Sequence, residues 1–191
     1  LARASSVAHH ELPVELFDHL ADRDEPGELI LVGAVRQRDL TEVVGDGPVL
    51  VLDRPSSPGN LGSLIRSADA FGAAGVVVLG HAADIYDPRA VRATVGSLFA
   101  VPVVELGGVA DLAPWLESTG RRVLGLDERA GSPIAATKTP AALVLGSEAR
   151  GLSVAARALC DEIVSIPMHA ATATSLNLAI AGSIALYEVT R

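Results

Sequence analysis

The chain has very little of several things, and each shortage removes a class of function. It has one cysteine, Cys160. That rules out an intramolecular disulfide framework and any cysteine-rich zinc site. Its five histidines are scattered, and the adjacent pair His9-His10 has no partner at ligand spacing, so no metal cofactor is expected. Aromatic residues make up 3%, too few for a platform that stacks bases. No run of 18 apolar residues and no signal-peptide pattern is found, so a cytoplasmic protein without membrane contact is expected. Basic charge is also short. The net charge is −8, whereas proteins that grip phosphates normally present a basic surface. Lys138 is the single lysine; the other basic side chains are arginines. Arginine offers a planar fork that suits phosphate, and a local arginine patch can coexist with an acidic remainder. The composition does not itself point to RNA. The chain opens on Leu1 rather than Met, so further sequence is expected upstream.

What is present is aliphatic and regularly spaced. A length of 191 residues with 49% hydrophobic content suits one α/β domain with a small appendage. Residues 1–46 stand apart. An amphipathic helix is expected over Pro13–Ala21 and a strand over Leu29–Val35, followed by a charged and then glycine-rich connector. One helix and one strand cannot make a core alone, so this segment is read as the tail of another domain or as an arm. Residues 47–191 form the main domain. Strands are expected at Val49–Asp53, Gly75–Gly80, Val101–Leu106, Arg122–Asp127, Ala141–Gly146 and Glu162–Ile166. Helices are expected at Asn60–Phe71, Tyr86–Ser97, Val109–Thr119, Val154–Leu159 and Leu176–Tyr187. Alternating strands and helices imply a mostly parallel sheet with helices on both faces. Ligands in such sheets bind beyond the carboxyl ends of the strands, which singles out loops 54–60, 127–133, 146–152 and 167–175.

Three of these loops carry motifs. The first runs from Asp53 through Arg54 to Arg66, with the core Asn60-x-Gly62-x-x-x-Arg66. It is neither a dinucleotide fingerprint nor a P-loop; by itself it also fits an Asn N-cap followed by a surface arginine. Six helical steps separate Asn60 and Arg66 by about 240°, so the two belong to different flanks of a regular helix. The second is Leu145-Gly146-Ser147-Glu148-Ala149-Arg150-Gly151-Leu152, a strand running into a tight turn; it lacks the frame of a nucleophile elbow. The third is Ile166-Pro167-Met168, a small-residue loop, then Ser175-Leu176-Asn177 and a helix apolar on nearly every side. A surface helix should have one polar face. This one is too short to span a bilayer, so burial on two sides is expected, one of them against something other than its own sheet.

Taken together the three motifs resemble the SpoU-type members of the SPOUT superfamily, AdoMet-dependent RNA ribose 2′-O-methyltransferases. The resemblance covers about residues 48–191. It implies a sheet whose C-terminal part forms a deep trefoil knot, an arrangement that periodicity could not reveal and that is rare among folds. It implies AdoMet in the knot near Leu126, Asp127, Leu145, Gly146, Ser147, Glu148, Gly151, Ile166, Met168, Ser175 and Leu176. The polar catalytic set would be Asn60, Arg66, Glu148, Ser175 and Asn177, with Arg54, Arg66 and Arg150 toward RNA. It implies a homodimer through the C-terminal helix and an RNA site shared between subunits. Residues 1–46 then read as the remnant of a ribosomal-protein-like RNA-binding domain, which favours 23S rRNA over tRNA as the substrate. This chain departs from the family pattern at one place. Ala170 replaces a glycine, and six residues rather than five separate Met168 from Ser175; His169 is expected to face solvent.

The implied reaction is in-line transfer of a methyl group from a sulfonium to a ribose 2′-hydroxyl. A guanidinium holds its proton too firmly to be a simple base. Arg66 is therefore expected to hold a phosphate and to stabilise the developing alkoxide, with a perturbed arginine base as the competing role. Other functions also fit the chain: a tRNA ribose methyltransferase, a methyltransferase acting on a base nitrogen, and a non-catalytic RNA-binding module that kept the fold.

Overall fold

The computed structural model describes residues 8–21, 27–169 and 175–191. The chain divides into two compact units, Leu1–Arg36 and Gln37–Arg191. In the first, helix α1 spans Val14–Ala21 and buries none of its residues. The strand expected over Leu29–Val35 does not form; Leu31 and Val32 are exposed, and no neighbouring strand offers its backbone a partner among the described residues. A strand needs such a ladder, since its hydrogen bonds are all made to another segment.

The second unit includes residues 37–46. Val43 is buried against Gly75. The buried Arg121 guanidinium donates to the carbonyls of Gly45 (2.5 Å) and Gly47 (2.6 Å) and lies 5.7 Å from the centre of the Trp115 ring. The regular elements follow in order: β1 Val49–Asp53, α2 Pro58–Ala70, β2 Gly75–Leu79, α3 Pro88–Thr94, β3 Val103–Leu106, α4 Val109–Thr119, β4 Arg122–Leu126, β5 Ser132–Pro133, β6 Ala141–Leu145, α5 Val154–Leu159, β7 Glu162–Ser165 and α6 Leu178–Thr190. The strands form one sheet in the order β3-β2-β1-β6-β4-β7-β5, with every adjacent pair parallel.

Strands β1, β2 and β6 are buried at every position, as near-continuous apolar runs covered on both faces should be. Alternate residues point to opposite sides. Leu50, Leu52, Leu143 and Leu145 pack with Leu61, Leu64 and Ile65 of α2 and Leu186 of α6. Val49, Val51, Ala142 and Val144 pack with Leu112 and Leu116 of α4 and Ala156 of α5. Helices thus cover both faces of the sheet.

Helix ends differ from the sequence expectation where capping decides them. Ser57 caps α2, accepting from the Asn60 amide with Pro58 in the first turn, so the helix begins before Asn60 and Asn60 is not its cap. Helix α3 is shorter than the expected Tyr86–Ser97. The Asp87 side chain caps its start, and Val95 ends it in the left-handed region (φ 51°), followed by Gly96 and a 3-10 turn over Ser97–Phe99. Helix α6 starts at Leu178 because Asn177 turns its side chain onto the amides of Ala179 (2.9 Å) and Ile180 (3.3 Å).

Helix α6 seats on α2 through Gly182, where a Cβ would lie 2.3 Å from Leu64 Cδ2, and through a 2.7 Å contact between the Ser67 and Ser183 hydroxyls. Its outward side leaves Ile180 and Tyr187 about half exposed. The departure at Ala170 lies outside the described residues. No described helix is long and apolar enough to cross a membrane.

Candidate active site

Strands β1 and β6 are neighbours, so the loops leaving their carboxyl ends meet. Two links join them, and a third reaches α6. At the base, buried Asp53 accepts from the Ser153 amide (2.6 Å) and from Arg54 Nε (2.9 Å). Burial would raise this carboxyl; the Arg54 guanidinium and Ser153 outweigh that and hold it below the usual carboxylate range. Arg54 itself has a left-handed backbone (φ 57°), strain of the sort that gathers at functional loops. Its guanidinium is engaged with Asp53, not directed freely outward.

Above this, the β6 loop folds into a tight hairpin. Ser147 N donates to Gly151 O (3.1 Å) and Gly151 N to Ser147 O (2.9 Å). The hairpin puts Glu148 at its corner, with its carboxylate against the β1 loop. Glu148 accepts from Ser56 N (3.0 Å), Ser56 Oγ (2.8 Å), Ser57 N (3.2 Å) and Asn60 Nδ2 (2.9 Å). Partial burial pushes this carboxyl up, but the hydrogen bonds from Asn60 and Ser56 together prevail and bring it down to about 2. The third link reaches α6: Asn177 Nδ2 donates to Asn60 Oδ1 (3.0 Å). Every donor in this series points toward Glu148, which is the final acceptor. Asn60 and Asn177 therefore have fixed amide orientations, and Glu148 is ionised, saturated and unsuited to act as a base near neutral pH.

A group whose folded pKa lies below its ordinary value stabilises the fold above that ordinary value and ceases to do so as pH falls toward the folded one. For Glu148 the window runs from pH 4.5 down to about 2. Glu148→Gln is expected to cost about 1 kcal/mol at pH 7, the size for a largely exposed charge after solvent screening. That difference should vanish as wild type and variant are titrated to pH 2, followed by urea unfolding.

Beside this network lies a cavity of about 580 Å³. Its lining includes Leu126, Asp127, Leu145, Gly146, Ser147, Glu148, Gly151, Ile166, Met168, Ser175 and Leu176, which are all the residues expected to hold a cofactor. Glu128, Arg129 and Leu152 also line it, within the loops the sequence marks but not named there for the cofactor; Arg157, Leu178 and Ala181 line it from outside those loops. Arg157 could have been noticed only by pairing it with Asp127 across β4 and α5. Asp127 accepts from the Arg129 amide (2.9 Å) and pairs with the Arg157 guanidinium. The Arg129 amide, against partial burial, and then Arg157 hold its carboxyl below the usual range.

The remaining expected residues separate. Asn60, Glu148 and Asn177 are joined; Ser175 is exposed at the cavity; Arg150 is exposed on its rim. Arg66 is exposed, does not line the cavity, and makes no hydrogen bond or ion pair among the described residues. His169 is exposed.

The cavity fits AdoMet on its own features. Leucine, isoleucine and methionine side chains make an apolar slot for a purine. Asp127 and Glu128 supply acceptors for ribose hydroxyls or an ammonium group. At Gly146 a Cβ would lie 1.9 Å from the Gly151 carbonyl carbon, so only glycine lets the two sides of the hairpin that walls the cavity close on each other. Among the described residues no group of three His, Cys, Asp or Glu side chains could hold a metal ion.

Comparison with known proteins gives an independent view. The model of the SpoU rRNA Methylase family matches residues 47–187. A 23S rRNA (uridine(2479)-2′-O)-methyltransferase of Streptomyces viridochromogenes is 42% identical over 93% of this chain. The chain spans 65% of that relative's length. Among solved structures, the SpoU methyltransferase AviRb of the same organism, in complex with the cofactor AdoMet, is similar with a TM-score of 0.74 and 43% identity, covering 78% of this chain and 60% of that one. An AdoMet-bound rRNA methyltransferase from Sinorhizobium meliloti gives 0.84 at 32% identity, covering 92% and 69%.

Proposed function

Because the chain belongs to the SpoU rRNA methylase family, we propose that it methylates a ribose 2′-hydroxyl of 23S rRNA with AdoMet as donor. The observation that carries this is the joining of Asn60, Glu148 and Asn177 beside a cavity lined by both halves of the cofactor constellation. Leu145, Ile166, Met168 and Leu176 would give the cofactor its apolar wall, Leu126 and Asp127 would lie toward its adenine side, and the Gly146–Gly151 hairpin would close the site. AdoMet when bound supplies a methyl group on a positively charged sulfur. The chain's own residues then have to place a ribose hydroxyl in line with it and manage the departing proton. Orientation is worth roughly 7–11 kcal/mol at best. Asn60, clamped between Glu148 and Asn177, holds the ribose. Ser175, at the cavity mouth, orients the same sugar. Arg66 holds the adjoining phosphate and stabilises the oxygen as its proton leaves; Arg150, exposed on the cavity rim, faces the RNA, while Arg54 stays committed to Asp53. Glu148 orients Asn60 and carries no proton.

The same reading gives the C-terminal part of the domain a deep trefoil knot, and a crystal structure showing an unthreaded chain would remove it. It also makes the protein a homodimer through α6. Half-exposed Ile180 and Tyr187 on an otherwise apolar helix support that. Sedimentation at micromolar concentration should give a two-chain species; a monomer would contradict the dimer.

The rRNA substrate is favoured over tRNA by the 42% identical relative. Calorimetry with AdoMet, then transfer of tritiated methyl to 23S rRNA and to tRNA, tests both. Binding and labelling of 23S rRNA are expected. Labelling of tRNA alone would move the substrate, and no cofactor binding would leave an RNA-binding module.

A further inference from the structure

We propose that Ser56 is a positioning residue for methyl transfer, acting through Glu148 on Asn60. This rests on the methyltransferase reading above. Two loops that start 92 residues apart in sequence are joined at Ser56, which gives Glu148 Oε2 both its hydroxyl (2.8 Å) and its amide (3.0 Å). The other carboxylate oxygen takes Ser57 N (3.2 Å) and Asn60 Nδ2 (2.9 Å). Ser56 therefore sets the rotation of the carboxylate through two donors; without the hydroxyl Oε2 keeps the single 3.0 Å amide bond, so the carboxylate, and Asn60 with it, is held less tightly. A carboxylate held on one oxygen only is free to swing about its Cγ–Cδ bond; held on both, it is a rigid bracket. Asn60 passes that orientation to Asn177, whose other side-chain atom is committed to the first amides of α6. One hydroxyl on the β1 loop thereby aligns groups from all three motifs. Small misplacements of reacting groups are costly in rate even when binding is intact.

The consequence differs from that of a purely structural serine. Ser56 is exposed and lies in a loop, so its removal should leave the fold in place while loosening Asn60. In the full-length chain, Ser56→Ala is expected to lower the single-turnover rate about fivefold at saturating 23S rRNA and AdoMet, the size of one exposed hydrogen bond to a carboxylate. Affinity for AdoMet should change less than about twofold, and the thermal midpoint should fall by no more than about 4 °C. The side-chain amide pair of Asn60 in a ¹H–¹⁵N spectrum, assigned by its loss in Asn60→Ala, should move. Ser56→Thr, which keeps the hydroxyl, should restore both rate and spectrum. An unmoved Asn60 signal in Ser56→Ala, or a rate loss that Ser56→Thr does not rescue, would overturn the assignment. If the wild-type chain transfers no methyl group, the functional reading fails instead, and the Asn60 signal alone decides whether Ser56 sets that side chain.

Discussion

Gly146→Ala is expected to lower affinity for AdoMet at least about 100-fold and to reduce stability by about 3 kcal/mol, the upper range for overpacking. Gly146 follows β6 directly and is buried. An added Cβ would lie 1.9 Å from the Gly151 carbonyl carbon, 2.1 Å from Leu152 N and 2.3 Å from Gly151 O. All three atoms are backbone, so no side-chain rotation relieves the clash. The hairpin closed by Ser147 and Gly151 must open, and that hairpin forms one wall of the cavity and carries Glu148 to Asn60. Calorimetry on a sample shown folded by circular dichroism measures the effect. Wild-type affinity in a folded Gly146→Ala protein would show that AdoMet binds elsewhere. Gly151→Ala should be milder: its Cβ meets nothing within 4 Å, and only its left-handed backbone (φ 63°) resists substitution.

Arg66→Ala should behave in the opposite way, with affinity for AdoMet intact and turnover reduced by about 10²–10³-fold at saturating RNA, as when a donor to a developing oxyanion is removed. The side chain is exposed and outside the cavity, so neither the fold nor the cofactor site depends on it. Its lack of partners among the described residues leaves it available for a phosphate from RNA. A charge stabiliser and a base differ in their pH dependence. Removing a stabiliser lowers the rate by the same factor at every pH, whereas removing a base changes the shape of the profile. Full turnover in Arg66→Ala would eliminate both roles.

Much of this arrangement was legible in the sequence, for reasons that can be named. Uninterrupted apolar runs such as Val49–Leu52 and Ala141–Leu145, short and spaced by helical segments, fit central parallel strands, and their ends mark the loops where ligands bind. Motif matching named eleven residues that are among those lining the cavity. The helical rotation between Asn60 and Arg66 already separated them, and the structure does leave Arg66 on another flank. Capping was harder to read: Ser57, not Asn60, starts α2, because Pro58 suits a first-turn position and both follow a serine. Leu29–Val35 looked like a strand by composition, but a strand requires a neighbour, which composition does not supply. The contacts of Ser56 with Glu148 and of Arg157 with Asp127 join residues distant in the chain, so they become visible only once β1 lies beside β6 and α5 beside β4.

The central claim is that the methyl group goes to a ribose oxygen. Alkaline hydrolysis tests it directly, because RNA cleavage by alkali requires a free 2′-oxygen beside the phosphate. 23S rRNA labelled by the protein with tritiated AdoMet should, after complete alkaline digestion, yield its tritium in an alkali-resistant dinucleotide. Tritium recovered in a mononucleotide would place the methyl on a base and contradict the account.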